Sequence, residues 1–327
     1  MLDNFMELHT LADNIRKGTI RAIGKGITLI ESRKPEHAQK ATQLLDLLLP
    51  YTGNSLRIGI TGVPGVGKST FIEAFGSYLT EQGHKVAVLA VDPSSQITGG
   101  SILGDKTRME ELSRNPNAFI RPSPAGDTLG GVARRTRETM LLCEAAGYDI
   151  VIVETVGVGQ SETAVASMVD FFMLLQLATA GDELQGIKKG VMELADAIII
   201  NKADIDQQKT ALARQQYQNA LHILRPKSNN WSVPVQTVSA LKNEGVQDVW
   251  EMLCCYRKAM QQSGEFEDTR KHQAVDWMWA LLMDDLKTLF LNHKDVKGIF
   301  PQVQEAVAQG ITTPSAASRR LLDVFRR

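Results

Sequence analysis

Residues 62 to 69 read Gly62-Val63-Pro64-Gly65-Val66-Gly67-Lys68-Ser69. The stretch follows the apolar run Leu56-Arg57-Ile58-Gly59-Ile60 and opens a segment of helical character. Strand, glycine-rich loop and helix in that order make a Walker A phosphate loop. The glycines let the backbone turn so that successive N–H groups face phosphate oxygens, Lys68 reaches the β- and γ-phosphates, and Ser69 offers its hydroxyl to Mg²⁺. Val63, Pro64, Val66 and Thr70 belong to the same nucleotide-binding stretch. The expected ligand is a nucleoside triphosphate with Mg²⁺, and Lys68 is a candidate catalytic charge.

The 327 residues contain 43% hydrophobic side chains, ordinary for a globular chain with a sizeable core. Lys and Arg number 36 against 37 Asp and Glu, a net charge of −1, so no global basic field argues for nucleic acid or an anionic membrane. The three cysteines, Cys143, Cys254 and Cys255, have no paired spacing and fit a reducing cytoplasm better than a disulfide scaffold. Adjacent Cys254 and Cys255 read as small apolar residues on a helix. No run approaches the roughly 18 apolar residues of a membrane span, and the opening residues lack the pattern of a signal peptide. A cytoplasmic protein is expected.

Between residues 56 and 258 short β-branched runs alternate with helical segments, the signature of an α/β fold with a mostly parallel central sheet. The predicted strands are 57–61, 85–91, 118–121, 149–154, 171–178, 197–201 and 235–239. A helical N-terminal extension, residues 1–55, places Leu8, Leu11 and Ile15, then Ile23, Ile27 and Ile30, at helical spacing and is expected to pack on the core. A helical C-terminal arm, residues 259–327, carries Val275, Met278, Trp279, Leu282, Leu286 and Phe290 as one stripe, suited to internal packing or to a subunit interface. Pro301 and Pro314 suit first helical turns, Thr313 an N-cap and Gly310 a helix stop.

Further strings fall at predicted strand ends, the edge where α/β sheets bind nucleotides. Glu154-Thr155-Val156-Gly157 places a carboxylate able to hold Mg²⁺ through water and a glycine amide able to sense the γ-phosphate. Asn201-Lys202-Ala203-Asp204 bears on the base. The Asp204 carboxylate can accept both N1–H and the N2 amine of guanine, and adenine offers no such donor pair. Lys202 would lie along the base, and Asn201 would tie this loop back to the phosphate loop. Ser239-Ala240-Leu241 can supply an N–H for guanine O6. GTP and GDP are therefore expected over adenine nucleotides. Asp92, in Asp92-Pro93-Ser94-Ser95, is placed to orient attacking or metal-bound water, and Asp105 to complete the Mg²⁺ shell or to cap a helix. The residue after Gly157 is Val158, where Ras-like GTPases carry the glutamine that orients water, which predicts slow intrinsic hydrolysis. Arg108, Arg134, Arg135 and Arg137 are candidate charge stabilisers, with surface solvation as the alternative. Residues 181–190, glycine at both ends, read as a loop that can rearrange.

With Gly62 to Ser69, Asp92 to Ser95, Glu154-Thr155-Val156-Gly157-Val158-Gly159-Gln160-Ser161-Glu162 and Asn201 to Asp204 in this order, the chain closely resembles the MeaB/ArgK family, P-loop GTPases of the SIMIBI class. The resemblance covers nearly the whole chain. It implies a homodimeric, weakly active GTPase that binds adenosylcobalamin-dependent methylmalonyl-CoA mutase, gates its cofactor loading and protects it from inactivation. It also implies dimerisation through the C-terminal helices and a third switch at residues 185–189. By position it assigns Lys68 and Ser69 to phosphate and Mg²⁺, Asp92, Asp105 and Glu154 to the surroundings of the metal, and Asn201, Lys202 and Asp204 to guanine. Two other functions fit a phosphate loop. A metal-inserting GTPase is disfavoured by six scattered histidines without a Cys/His cluster, and a kinase acting on a binding protein is disfavoured by the guanine-reading string.

Overall fold

The computed structural model describes residues 2–32, 34–91, 109–122, 129–155, 161–178, 189–224 and 226–326. The chain forms two compact units, Met1–Thr269 and Arg270–Arg327.

In the first unit all seven predicted runs are strands: β1 (Leu56–Gly62), β2 (Val86–Val91), β3 (Ala118–Arg121), β4 (Ile150–Thr155), β5 (Phe171–Leu177), β6 (Ala197–Asn201) and β7 (Val235–Thr237). They make one sheet in the order β3-β2-β4-β1-β5-β6-β7, with every neighbouring pair parallel. Central strands such as Ile150-Val151-Ile152-Val153 are buried on both faces, which is why they read as continuous apolar runs without alternation.

The N-terminal helices α1 (Leu2–Arg16), α2 (Ile20–Glu31) and α3 (Pro35–Leu48) lie over one face. Ile15, Ile23, Ile27 and Leu44 share a core with Val151 and Val153 of β4 and with Leu142 of a later helix, so the segment packs on the sheet as its periodicity predicts. The opposite face is covered by α4 (Lys68–Glu81), whose Phe71, Phe75 and Leu79 bury against Ile58, Ile60 and Ile152. Following in chain order are α5 (Glu110–Arg114), α6 (Leu129–Ala145), α7 (Ser161–Ala166), α8 (Lys189–Leu194), α9 (Gln207–Ile223) and α10 (Val246–Ser263).

At the amino edge of the sheet, Glu144 of α6 gathers four donors. Its Oε1 accepts from Ser55 Oγ at 2.5 Å and Arg57 Nε at 2.6 Å, and its Oε2 accepts from the Gly53 N–H at 2.8 Å and Arg57 Nη2 at 3.0 Å. These bonds outweigh the burial that opposes its charge and hold the carboxyl below the usual glutamate range. Cys143 is buried beside it, whereas Cys254 and Cys255 lie on α10 as expected of a helix but are both exposed.

The chain ends in α11 (Glu265–Asn292), α12 (Lys294–Ala308) and α13 (Pro314–Phe325). Gly310, with φ of 71°, follows α12, and the Thr313 hydroxyl caps α13 by accepting from the Ala316 N–H at 3.2 Å. Pro301 departs from expectation. It sits inside α12, not in its first turn, because His293 starts the helix eight residues earlier and the apolar face running through Val296 and Val303 carries it past the proline. Phe290 and His293 pack on Phe325. Within α11, Val275, Met278, Trp279, Leu282 and Leu286 remain 42–55% exposed. No helix among the described residues is long and apolar enough to cross a membrane.

Candidate nucleotide-binding site

β1 leads into the phosphate loop and α4 leads out of it, and the loop's glycines have steric reasons. A Cβ on Gly62, whose φ is 155°, would stand 2.5 Å from the Leu175 carbonyl oxygen. One on Gly67, at φ 92°, would stand 2.8 Å from Asn201 Nδ2. Val66 places its side chain in the core, so only its backbone faces the site. Lys68 is buried, and its Nζ donates to the carbonyls of Gly62 at 2.8 Å and Val63 at 3.4 Å. Burial pulls its ammonium below the ordinary lysine range, against the opposing pull of Glu154 and Glu162. Ser69 and Thr70 occupy the first turn of α4, Ser69 half-buried and Thr70 exposed.

β4 brings Glu154 to the same edge, in register with Ile60 of β1. Beside it Thr155 Oγ1 donates to Thr61 Oγ1 at 2.7 Å, joining β4 to β1 where both strands end. Glu162, buried in the first turn of α7, is a charged group that the sequence reading quoted but gave no role; a lone Glu in a polar string carries no signal that it will be buried.

The third part is built around Asn201, the last residue of β6. Its Nδ2 donates to the Val66 carbonyl at 3.0 Å, and its Oδ1 accepts from the Ala240 N–H at 3.2 Å. One carboxamide thus fastens the phosphate loop to the loop after β7. Lys202 adopts the left-handed conformation, φ 59°, which costs a non-glycine residue about 1–2 kcal/mol. The turn is held by Nζ donating to the Gly65 carbonyl at 2.9 Å and by the Ala203 N–H on the Val238 carbonyl at 3.1 Å. Asp204 Oδ1 accepts from Ser239 Oγ at 2.7 Å, and that hydroxyl holds its carboxyl below the usual carboxylate range, so the group is ionised and accepts only. Asp204 and Ser239 border a cavity of about 930 Å³ that extends to Arg214, Lys242 and Asp248. In the Ser239-Ala240-Leu241 string the first two N–H groups are already engaged, by the Glu244 carbonyl and by Asn201.

Asp92, Asp105 and Gly157, with Val158, Arg108 and residues 181–188, lie outside the described residues. For Mg²⁺, the described candidates are Ser69 and Glu154, a hydroxyl and a carboxylate, oxygen donors of the kind this hard cation takes. Among the described residues no three His, Cys, Asp or Glu side chains gather as a metal site by themselves.

Residues 23–295 match the family model described as methylmalonyl Co-A mutase-associated GTPase MeaB. The chain belongs to the MeaB family. This MeaB-family chain is 53% identical to a putative GTPase of Caulobacter vibrioides over 98% of both chains, and 51% identical to the GTPase ArgK of Escherichia coli over 97% of both. It is 47% identical to the mouse mitochondrial methylmalonic aciduria type A homolog, covering 95% of this chain and 77% of that one. Among solved structures, one titled LAO/AO transport system kinase superposes with a TM-score of 0.78 at 43% identity over 98% of each chain. The MeaB-family chain is therefore a P-loop GTPase, with the resemblance read from its motifs upheld.

Proposed function

We propose that this chain is a GTP-driven regulatory chaperone of adenosylcobalamin-dependent methylmalonyl-CoA mutase, hydrolysing GTP slowly when alone and changing the mutase's state, not making a product of its own. The observation that carries the guanine part is the Asn201 clasp. It ties the loop that bears Lys202 and Asp204 to the phosphate loop through Val66, so base and phosphates are read by one connected structure. Lys68 and Ser69 would hold phosphate and Mg²⁺, Glu154 the metal through water, and Asp92 and Asp105 the remaining metal-side positions. The mutase part is supported by the family's description as mutase-associated and by the name of the mouse relative. Immobilised protein charged with GDP or a non-hydrolysable GTP analogue should retain methylmalonyl-CoA mutase in one nucleotide state more than the other; no retention in any state would remove the partner from this reading.

The arm from residue 259 onward is read as the dimerisation element, because the α11 stripe is apolar and exposed in the single chain. Magnesium dependence and a cytoplasmic setting belong to the same reading.

A further inference from the structure

α5 has five residues, too few for a helix to hold itself, and α4 supplies what it lacks. Met109, which precedes it, makes no side-chain cap. The cap comes instead from α4, where Glu73 Oε1 accepts from the Glu111 N–H at 2.7 Å and from the Leu112 N–H at 3.1 Å. Gly76, one turn further along α4, makes room. A Cβ there would stand 2.6 Å from Leu112 Cδ2, so the two helices meet where α4 has no side chain. At the far end Asn115 Nδ2 donates to Thr80 Oγ1 at 3.0 Å, and Met109 and Leu112 share the core of Phe71 and Phe75.

Glu73, Gly76 and Thr80 continue a stripe that Ser69 begins, at i, i+4, i+7 and i+11 of α4. One helix face thus carries both the hydroxyl read as a Mg²⁺ ligand and the seat of α5. The sequence links the two from the other side, since Asp105 and Arg108, read as candidates for the metal shell and for charge stabilisation, stand just before Met109. The Glu73 carboxyl is also unfavourable to keep, because its Oε2 is buried without a hydrogen-bond partner among the described residues.

We propose that Glu73 is a positioning residue for the metal side of the nucleotide site. By capping α5 from α4 it sets where the stretch bearing Asp105 and Arg108 joins the core, in register with Ser69 on the same helix face. The inference goes beyond the chaperone reading and rests on that reading's Mg²⁺-dependent GTP hydrolysis. Lys68 is held by the carbonyls of Gly62 and Val63 and not by α5, so nucleotide binding without metal should be indifferent to the cap.

The test follows GTP hydrolysis by the full chain as Mg²⁺ is titrated, beside the affinity for a fluorescent GDP analogue in EDTA. Glu73→Ala should raise the Mg²⁺ concentration for half-maximal rate about fivefold, the scale of a lost helix cap, and leave metal-free GDP affinity within about twofold. Glu73→Gln keeps a carbonyl oxygen at the cap and should stay within about twofold of the parent in both measurements. Gly76→Ala leaves the carboxyl in place and pushes on Leu112; it should raise the Mg²⁺ requirement in the same direction and serves should Glu73→Ala fold poorly. General damage to the domain would instead weaken metal-free GDP binding, and that result, like an unchanged Mg²⁺ requirement in both alanine variants, overturns the proposal. A parent protein that hydrolyses GTP without Mg²⁺ removes the metal reading and this proposal with it, a failure visible before any variant is made.

Discussion

Gly67 and Asp204 show how far a single position can carry the site. At Gly67 the positive φ and the 2.8 Å approach to Asn201 Nδ2 act together, so Gly67→Ala strains the backbone by about 1–2 kcal/mol and pushes on the clasp as well. We expect GDP affinity to fall by more than about tenfold, read by nucleotide titration, while the far-UV circular dichroism of the sheet is retained. Asp204 has the opposite character, since it is half-buried outside the apolar core and a substitution of the same shape leaves that core undisturbed. Asp204→Asn reverses the hydrogen-bonding pattern offered to the base and should weaken GTP binding while improving xanthosine triphosphate binding. Unchanged GTP affinity in that variant would remove Asp204 from base recognition. Both residues were legible as a motif. The tie from Asn201 to the phosphate loop was legible too, but the Ala240 N–H on Asn201 and the left-handed Lys202 were not, because they join positions far apart in the chain or depend on backbone angles that residue identity does not encode.

At the scale of elements, the strands were readable because parallel strands buried on both sides must be continuously apolar and β-branched, and a helix cannot hide that composition so briefly. The Pro301 expectation failed for a physical reason. Proline marks a first turn only where the helix has no other start, and here the apolar spacing through Val296 and Val303 extends α12 across it. The Glu144 network was invisible altogether, since Gly53, Ser55, Arg57 and Glu144 have no common period. It joins the approach to β1 to α6, and breaking a buried pair of this kind costs about 3–5 kcal/mol. Glu144→Gln should lower unfolding stability by about 3 kcal/mol in urea melts, because the largely buried Arg57 guanidinium loses its ion-pair partner and keeps only the more remote charge of Asp170. The pH dependence has a definite sign. Because the folded carboxyl lies below its unfolded value of about 4.3, the contribution is fully present above that value and is lost as pH falls through the folded one. Parent and Glu144→Gln urea midpoints should therefore converge under acid conditions and stay apart near neutrality.

For the whole molecule, the sequence pattern gave α11 an apolar stripe without saying what covers it, because periodicity identifies a face and not its partner. In the single chain Trp279 is 55% and Leu286 45% exposed. If a second copy covers them, Trp279→Glu combined with Leu286→Glu should halve the mass seen by light scattering at micromolar concentration and leave the melting of the first unit unchanged. A parent protein that is already monomeric would remove the dimer from the proposed function.

The Asn201 clasp also orders events in time. The phosphate loop is synthesised early, yet one of its carbonyls is held by a side chain 135 positions downstream, and that side chain in turn takes an N–H from a residue 39 positions later still. A growing chain that has made Gly62 to Ser69 but not Ala240 owns the motif without its brace. Nucleotide capture should then lag behind synthesis of most of the sheet, so that bound guanine nucleotide reports that the last strands have docked.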